Sequence, residues 1–210
     1  MTQLGLYNSA LRRLGELSLS ALTDNVPQRH HLDTIWTEDP VLLMLEKYGW
    51  SFARKTVEWN YNAAYDPAFG YQYVFDQPSD YVRLVEISTD GYFSDPFRNY
   101  RVENGFWFCD FQTLYVVYVS KDTGYGYDYT KWTKLFESMV ATYMAQKLSL
   151  ALNKSQSDKD SLAKEMRMYE TQAKSLDAME SPTRRPPQGT WTRSRTGRAR
   201  GDTNRGPVLG

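Results

Sequence analysis

Five groups of residues in this 210-residue chain are of types that could do chemistry. Asp122-Thr123-Gly124 matches the triplet of aspartic proteases, where two carboxylates share one proton. A single triplet needs a homodimer for the second Asp, and an apolar strand leading into it. Lys121 precedes it here and Gly124-Tyr125-Gly126-Tyr127-Asp128-Tyr129 follows, so the segment reads as a turn after a strand ending at Ser120. His30-His31 suggests metal, but adjacent helix residues point about 100° apart and cannot chelate as an i, i+4 pair would. Cys109, between Phe108 and Asp110, has no histidine pattern to make it a nucleophile and reads as a small sheet residue. Gly124-Tyr125-Gly126 lacks the third glycine and the strand-to-helix setting of a phosphate loop. Asp158, Asp160 and Glu165 fall on a solvated helix face. No catalytic constellation, metal site or cofactor site is expected, and the chain reads as a non-enzyme.

Binding is what remains, and charge is its first signal. The chain holds 25 basic and 25 acidic side chains, a formal net charge of zero. Seven arginines and one aspartate fall in residues 181–210, a local charge of +6. That leaves 18 basic and 24 acidic groups, or −6, for residues 1–180. Arg184, Arg185, Arg193, Arg195, Arg198, Arg200 and Arg205, with Trp191 among them, form an arm expected to be disordered in isolation. It reads as a solubilising tail, an arm docking on an acidic partner, or a contact to DNA phosphates. Arginine without lysine, beside a tryptophan, favours bidentate or stacked docking.

The second signal is aromatic: 26 of the 31 Phe, Trp and Tyr residues lie between Tyr48 and Phe136. Tyrosine and tryptophan are enriched at interfaces, and Tyr125, Tyr127 and Tyr129, with glycines between them, read as an exposed contact loop. The charge balance excludes a uniformly basic nucleic-acid binder, and the aromatic content excludes a wholly disordered chain. The longest apolar runs, Val41–Leu45 and Leu114–Val119, fall far short of the roughly 18 residues of a membrane span. The first residues show no signal-peptide pattern, and a single cysteine allows no intrachain disulfide, which fits folding in a reducing cytosol.

The elements that would position these groups follow from periodicity. Leu4, Tyr7, Leu11 and Leu14 recur at helical spacing before Gly15. Leu32, Ile35 and Trp36 predict a second helix, and Asp39-Pro40 predicts a cap and restart, with the helix ending at Gly49. Lys55–Asn60, Tyr71–Phe75, Val82–Ile87, Asn99–Glu103, Phe106–Asp110 and Leu114–Ser120 read as strands separated by turn formers. Asn104-Gly105 predicts a tight hairpin, and the apolar Leu114–Val119 a central strand. Trp132 to Leu148 and Leu162 to Leu176 predict two long helices paired as an antiparallel hairpin across a polar link at 153–157. The expectation is an α+β protein: an antiparallel helical bundle from 1–54 and 130–180, an aromatic-rich antiparallel β-sheet or open-barrel subdomain inserted at 55–129, and an extended Arg-rich arm at 181–210.

This order of segments resembles a known family. Leu11-Arg12-Arg13-Leu14-Gly15-Glu16 closes the first helix, Glu46-Lys47-Tyr48-Gly49-Trp50-Ser51-Phe52-Ala53-Arg54-Lys55 follows a leucine-rich helix, and Trp132-Thr133-Lys134-Leu135-Phe136 opens the long helix. Over residues 4–178 the chain looks like the tail tubular protein A family, the head-to-tail adaptors of short-tailed bacteriophages. The Trp50–Ala53 segment is the most specific match; the Arg-rich arm aligns with no family motif. The resemblance implies a virion structural protein, assembled in the host cytoplasm into a homo-oligomeric, typically dodecameric ring. Its partners would be the portal ring and the tail nozzle protein, with DNA passing through the lumen without specific binding. Carried onto this chain, it makes the seven arginines and Trp191 a portal-docking arm. Tyr71, Tyr92, Tyr125, Tyr127 and Tyr129 become subunit or nozzle contacts, and Trp50 and Phe52 helix–sheet packing residues. Two competitors stand beside it: a DNA-binding accessory protein gripping phosphates with its arm, and a glycan-binding tail component using the aromatic loops.

Overall fold

A computed structural model describes residues 2–67, 70–93 and 97–180. The arm at 181–210, with its arginines and Trp191, lies outside the described residues. Helix α1 (Gln3–Arg13) starts at Thr2, whose hydroxyl accepts from the Gly5 amide at 3.2 Å, and is followed by Gly15 at φ +69°. That left-handed φ suits the residue just past a helix end and favours glycine. Helix α2 (Pro27–Thr37) buries Leu32 and Ile35. Asp39 caps α3 (Pro40–Glu46) through a 3.0 Å bond from the Leu42 amide, with Pro40 in the first turn as expected. The helix ends at Glu46, short of the expected Gly49. Gly49 is held instead by close approach: a Cβ there would lie 3.2 Å from Val85.

All six expected strands form: β1 (Arg54–Asn60), β2 (Tyr73–Asp76), β3 (Tyr81–Ser88), β4 (Arg101–Glu103), β5 (Phe106–Cys109) and β6 (Thr113–Ser120). They do not make the single sheet or open barrel expected. They divide into two antiparallel three-stranded sheets, ordered β1-β6-β3 and β2-β5-β4. β6 is the central strand of the first, as its two apolar faces required. β4 and β5 are joined through Asn104 and Gly105, both at positive φ (+47° and +79°), the geometry of a type I′ hairpin turn.

Helix α4 (Lys134–Ala151) begins after Trp132 rather than at it, because Thr133 caps it by accepting from the Phe136 amide at 3.2 Å. Helix α5 (Gln156–Glu180) packs along α4, and α1, α2 and α3 also pack on α4. The described residues are thus mixed α+β, with five α-helices and two small sheets.

Two apolar cores result. The helical core holds Leu6, Leu11, Leu45, Trp50, Phe136 and Leu148, all fully or almost fully buried. The sheet core holds Phe75, Trp107, Leu114, Val116 and Tyr118. Alternation along β6 ties them together: Leu114, Val116 and Tyr118 face the sheet core, and Val119 enters the helical core.

Candidate interaction surfaces

Most of the groups with chemical potential are engaged in local structural contacts. Asp122 lies in the turn after β6, where its carboxylate accepts from the Thr123 hydroxyl at 3.2 Å and the Gly124 amide at 3.4 Å. Its other oxygen is 3.7 Å from the Lys55 ammonium, which also pairs with Asp80 at 2.8 Å. A cation between two carboxylates is the opposite of a proton-sharing dyad. His30 and His31 are exposed on α2, His30 within reach of Arg29 and Asn25. No His, Cys, Asp and Glu cluster with metal-holding geometry occurs among the described residues. Cys109 is fully buried in the sheet core, and burial pushes its thiol pKa up, away from the reactive thiolate. Asp158 accepts from Ser155, Asp160 from Gln156, and Glu165 lies 3.6 Å from Arg13.

Asp80 is the organising polar group that the sequence did not mark. It accepts from Lys55 at 2.8 Å, Ser120 Oγ at 2.6 Å and the Tyr118 hydroxyl at 3.0 Å. Burial pushes its carboxyl up, but the three donors outweigh that and hold it below its ordinary value. The same cluster raises the Lys55 ammonium, chiefly through its bond to Asp80, and burial lifts Tyr118 to about 12. Asp80 sits in a turn before β3, so in sequence it resembles any other turn acid.

The tyrosine loop is not the uniformly exposed surface expected of it. Tyr127 and Tyr129 pack against the helical core, the Tyr127 hydroxyl donating to Asp39 and the Tyr129 ring set edge-on to Trp132 at 4.8 Å. Tyr125 is half-buried, with the Lys55 and Lys131 ammonium groups 5.4 and 5.8 Å from its ring centre. Trp132 Nε1 donates to the Gly126 carbonyl at 2.8 Å, and a Cβ on Gly126 would press into the Ser120 carbonyl oxygen. The glycine here serves tight packing rather than an open loop. Tyr92, 90 % exposed, is the one tyrosine of the five fully turned to solvent.

Tyr71 belongs to a second surface. On the outer face of β4 and β5, a cleft of about 360 Å³ is lined by Tyr65, Tyr71, Phe106, Phe108, Arg101 and Glu103. Tyr65 stacks on Phe106 at 5.4 Å, and Arg101 and Glu103 pair at 3.0 Å on the rim. The alternation of β5 leaves Phe106 and Phe108 half-buried here while burying Trp107 and Cys109 on the other side.

Trp50 and Phe52, between α3 and β1 in the chain, both pack into the helical core. Trp50 is 1 % exposed, donates to the Met44 carbonyl at 2.8 Å and meets Phe136 edge-on at 5.1 Å. Phe52 meets the same ring at 4.9 Å. Beside them the buried Asp177, from the last turns of α5, accepts from the Ser51 amide at 2.7 Å and lies 3.5 Å from Arg54. Glu180 accepts from the Ser51 hydroxyl at 3.2 Å. The end of α5 is therefore fastened at the start of β1. No family model matches this chain, and no curated protein matches it.

Proposed function

We propose that this chain is a virion structural protein, a ring-forming head-to-tail adaptor that joins the portal to the tail nozzle around the DNA exit channel. What supports the reading most is the Trp50-Ser51-Phe52-Ala53 segment, the most specific point of resemblance, whose Trp50, Phe52 and Ala53 pack in the helical core just before β1. The partners of Asp122 and the burial of Cys109 support a non-enzymatic role. Tyr92 and the Tyr65–Phe108 cleft supply aromatic surface for neighbours, as interface cores require. The acidic body, −6 over residues 1–180, suits a lumen that passes DNA without retaining it. The Arg-rich arm is the portal-docking element in this reading, and repetition around a ring multiplies its hold.

Negative-stain electron microscopy of the chain with and without portal tests the proposal. A ring seated on the portal is expected, and lost when residues 181–210 are deleted. The seven arginines favour one other reading, a DNA-binding accessory protein. Binding to duplex DNA with a steep salt dependence, together with indifference to portal, would replace the adaptor reading with that one.

A further inference from the structure

Among the described residues, three large side chains stand almost wholly in solvent: Leu17, Tyr92 and Met179, 91, 90 and 80 % exposed. Tyr92 differs from the other two in how it is held. It lies in a tight turn after β3 that its neighbours build. The Ser88 hydroxyl donates to the Asp90 carboxylate at 2.9 Å and accepts from the Asp90 amide at 3.1 Å, and the Phe93 amide donates to the Asp90 carbonyl at 3.4 Å. Phe93 has φ +54°, a left-handed conformation that a bulky side chain rarely adopts. Such a residue costs about 1–3 kcal/mol and persists where the surrounding structure enforces it, as at binding and clamping sites. The turn sets Tyr92 outward as a fixed knob.

The cleft on the second sheet is its complement. Tyr65 stacks on Phe106 at 5.4 Å yet remains 49 % exposed, and Phe108 stands edge-on to Phe106 at 6.5 Å. Rings so arranged accept another ring offset or edge-to-face, at centroid separations of about 4.5–7 Å. On the rim Arg101 and Glu103 pair at 3.0 Å, so the lining carries no net charge. That favours an uncharged occupant with a hydrogen-bonding edge, since a charged one would meet its like in one member of the pair. A phenol meets both demands: its ring lies on the aromatic floor, and its hydroxyl faces a guanidinium donor and a carboxylate acceptor. Leu17 and Met179 have neither ring nor hydroxyl.

We infer that Tyr92 of one copy of this chain inserts into the Tyr65–Phe108 cleft of a second copy. Tyr92 stands in solvent within its own chain, so the cleft that receives it belongs to another molecule. Knob and cleft occupy different surfaces, the turn after β3 of the first sheet and the outer face of the second. Each copy therefore gives a knob to one neighbour and receives one from another, a head-to-tail contact. One tyrosine buries about 150–250 Å², against roughly 1,200 Å² or more for a stable interface. The insertion is thus one anchor of a larger contact, weak by itself and populated at high protein concentration. The inference rests on the adaptor reading only in taking this aromatic surface as made for neighbours, and it names the neighbour.

Photocrosslinking of the full chain without portal tests it. With p-azidophenylalanine in place of Tyr92, the ring is kept and the reactive group stands where the hydroxyl was. Mixed with heavy-isotope-labelled chain and irradiated, it is expected to give mixed-isotope dimers cross-linked to Tyr65, Phe106, Phe108 or the Arg101–Glu103 rim. Tyr92→Ala and Tyr65→Ala each alter a side chain outside both cores. Each is expected to weaken self-association in sedimentation about tenfold, the loss of one packed aromatic anchor. Absence of cross-linked dimers would overturn the inference. Cross-links that map away from the cleft overturn it as well, and leave the cleft to another occupant such as a neutral sugar or a different protein. Cleft cross-links in a chain that ignores portal count against the adaptor reading alone, whereas a portal-seated ring without them counts against this inference alone.

Discussion

Asp80 shows how one carboxylate can decide local stability without any catalytic part. It receives bonds from β1, from two residues of β6 and through Lys55 sits beside the Tyr125 ring. Replacing Asp80 by Ala leaves Lys55, Tyr118 and Ser120 without their shared acceptor. The expected loss is about 2–3 kcal/mol, the scale of hydrogen bonds to a charged group, read from the urea midpoint at constant slope. The pH dependence has a definite sign. A carboxyl held below its ordinary value when folded stabilises the fold above its unfolded pKa, and that stabilisation is lost as pH falls through the folded pKa. Asp80→Asn is therefore expected to lose less stability than the unaltered chain between about pH 7 and about pH 3. None of this was legible in the sequence. The Lys55–Asp80 pair spans 25 positions and Asp80–Ser120 spans 40, and neither spacing leaves a local pattern. The Tyr127–Asp39 bond, 88 positions apart, likewise turned inward a loop whose glycines and tyrosines suggested solvent.

At the scale of elements, local chemistry was a better guide. Strand runs, the Asp39-Pro40 cap and the Asn104-Gly105 turn are each determined by neighbours within a few residues, so their patterns are visible along the chain. Partner choice is not. Nothing local tells β2 to pair with β5 rather than with β6, which is why one expected sheet proved to be two. Two glycines separate these effects. Gly105→Ala places a side chain at φ +79° in open space, and is expected to cost about 1–2 kcal/mol from backbone strain alone. Gly126 has no positive φ, but its Cβ would meet the Ser120 carbonyl and come within 2.7 Å of Leu45. Gly126→Ala is expected to cost about 3 kcal/mol. Thermal denaturation of the two variants should rank them in that order.

For the described molecule taken together, β6 matters most. Because it feeds both cores, neither can open without disturbing the strand that the other packs against. Urea unfolding is expected to follow one transition, with tryptophan fluorescence and far-UV circular dichroism coinciding. The probes are well placed, since Trp50 and Trp132 report the helical core and Trp59 and Trp107 the sheet core. Two separated midpoints would mean that the Val119 connection is too weak to couple them. The charge balance also belongs to this scale: a net of zero is the sum of an acidic body and a basic arm, and the two ends of that separation are available to each other as well as to partners.

Cys109 makes the sheet core into its own clock. The chain has one thiol, it has no exposure to solvent, and its raised pKa keeps it protonated. A thiol reagent added to the native protein therefore finds nothing to attack until β5 comes away from its neighbours. Each labelling event then counts one such excursion, and the labelling rate at increasing reagent concentration levels off at the frequency with which the native fold lets go of that strand.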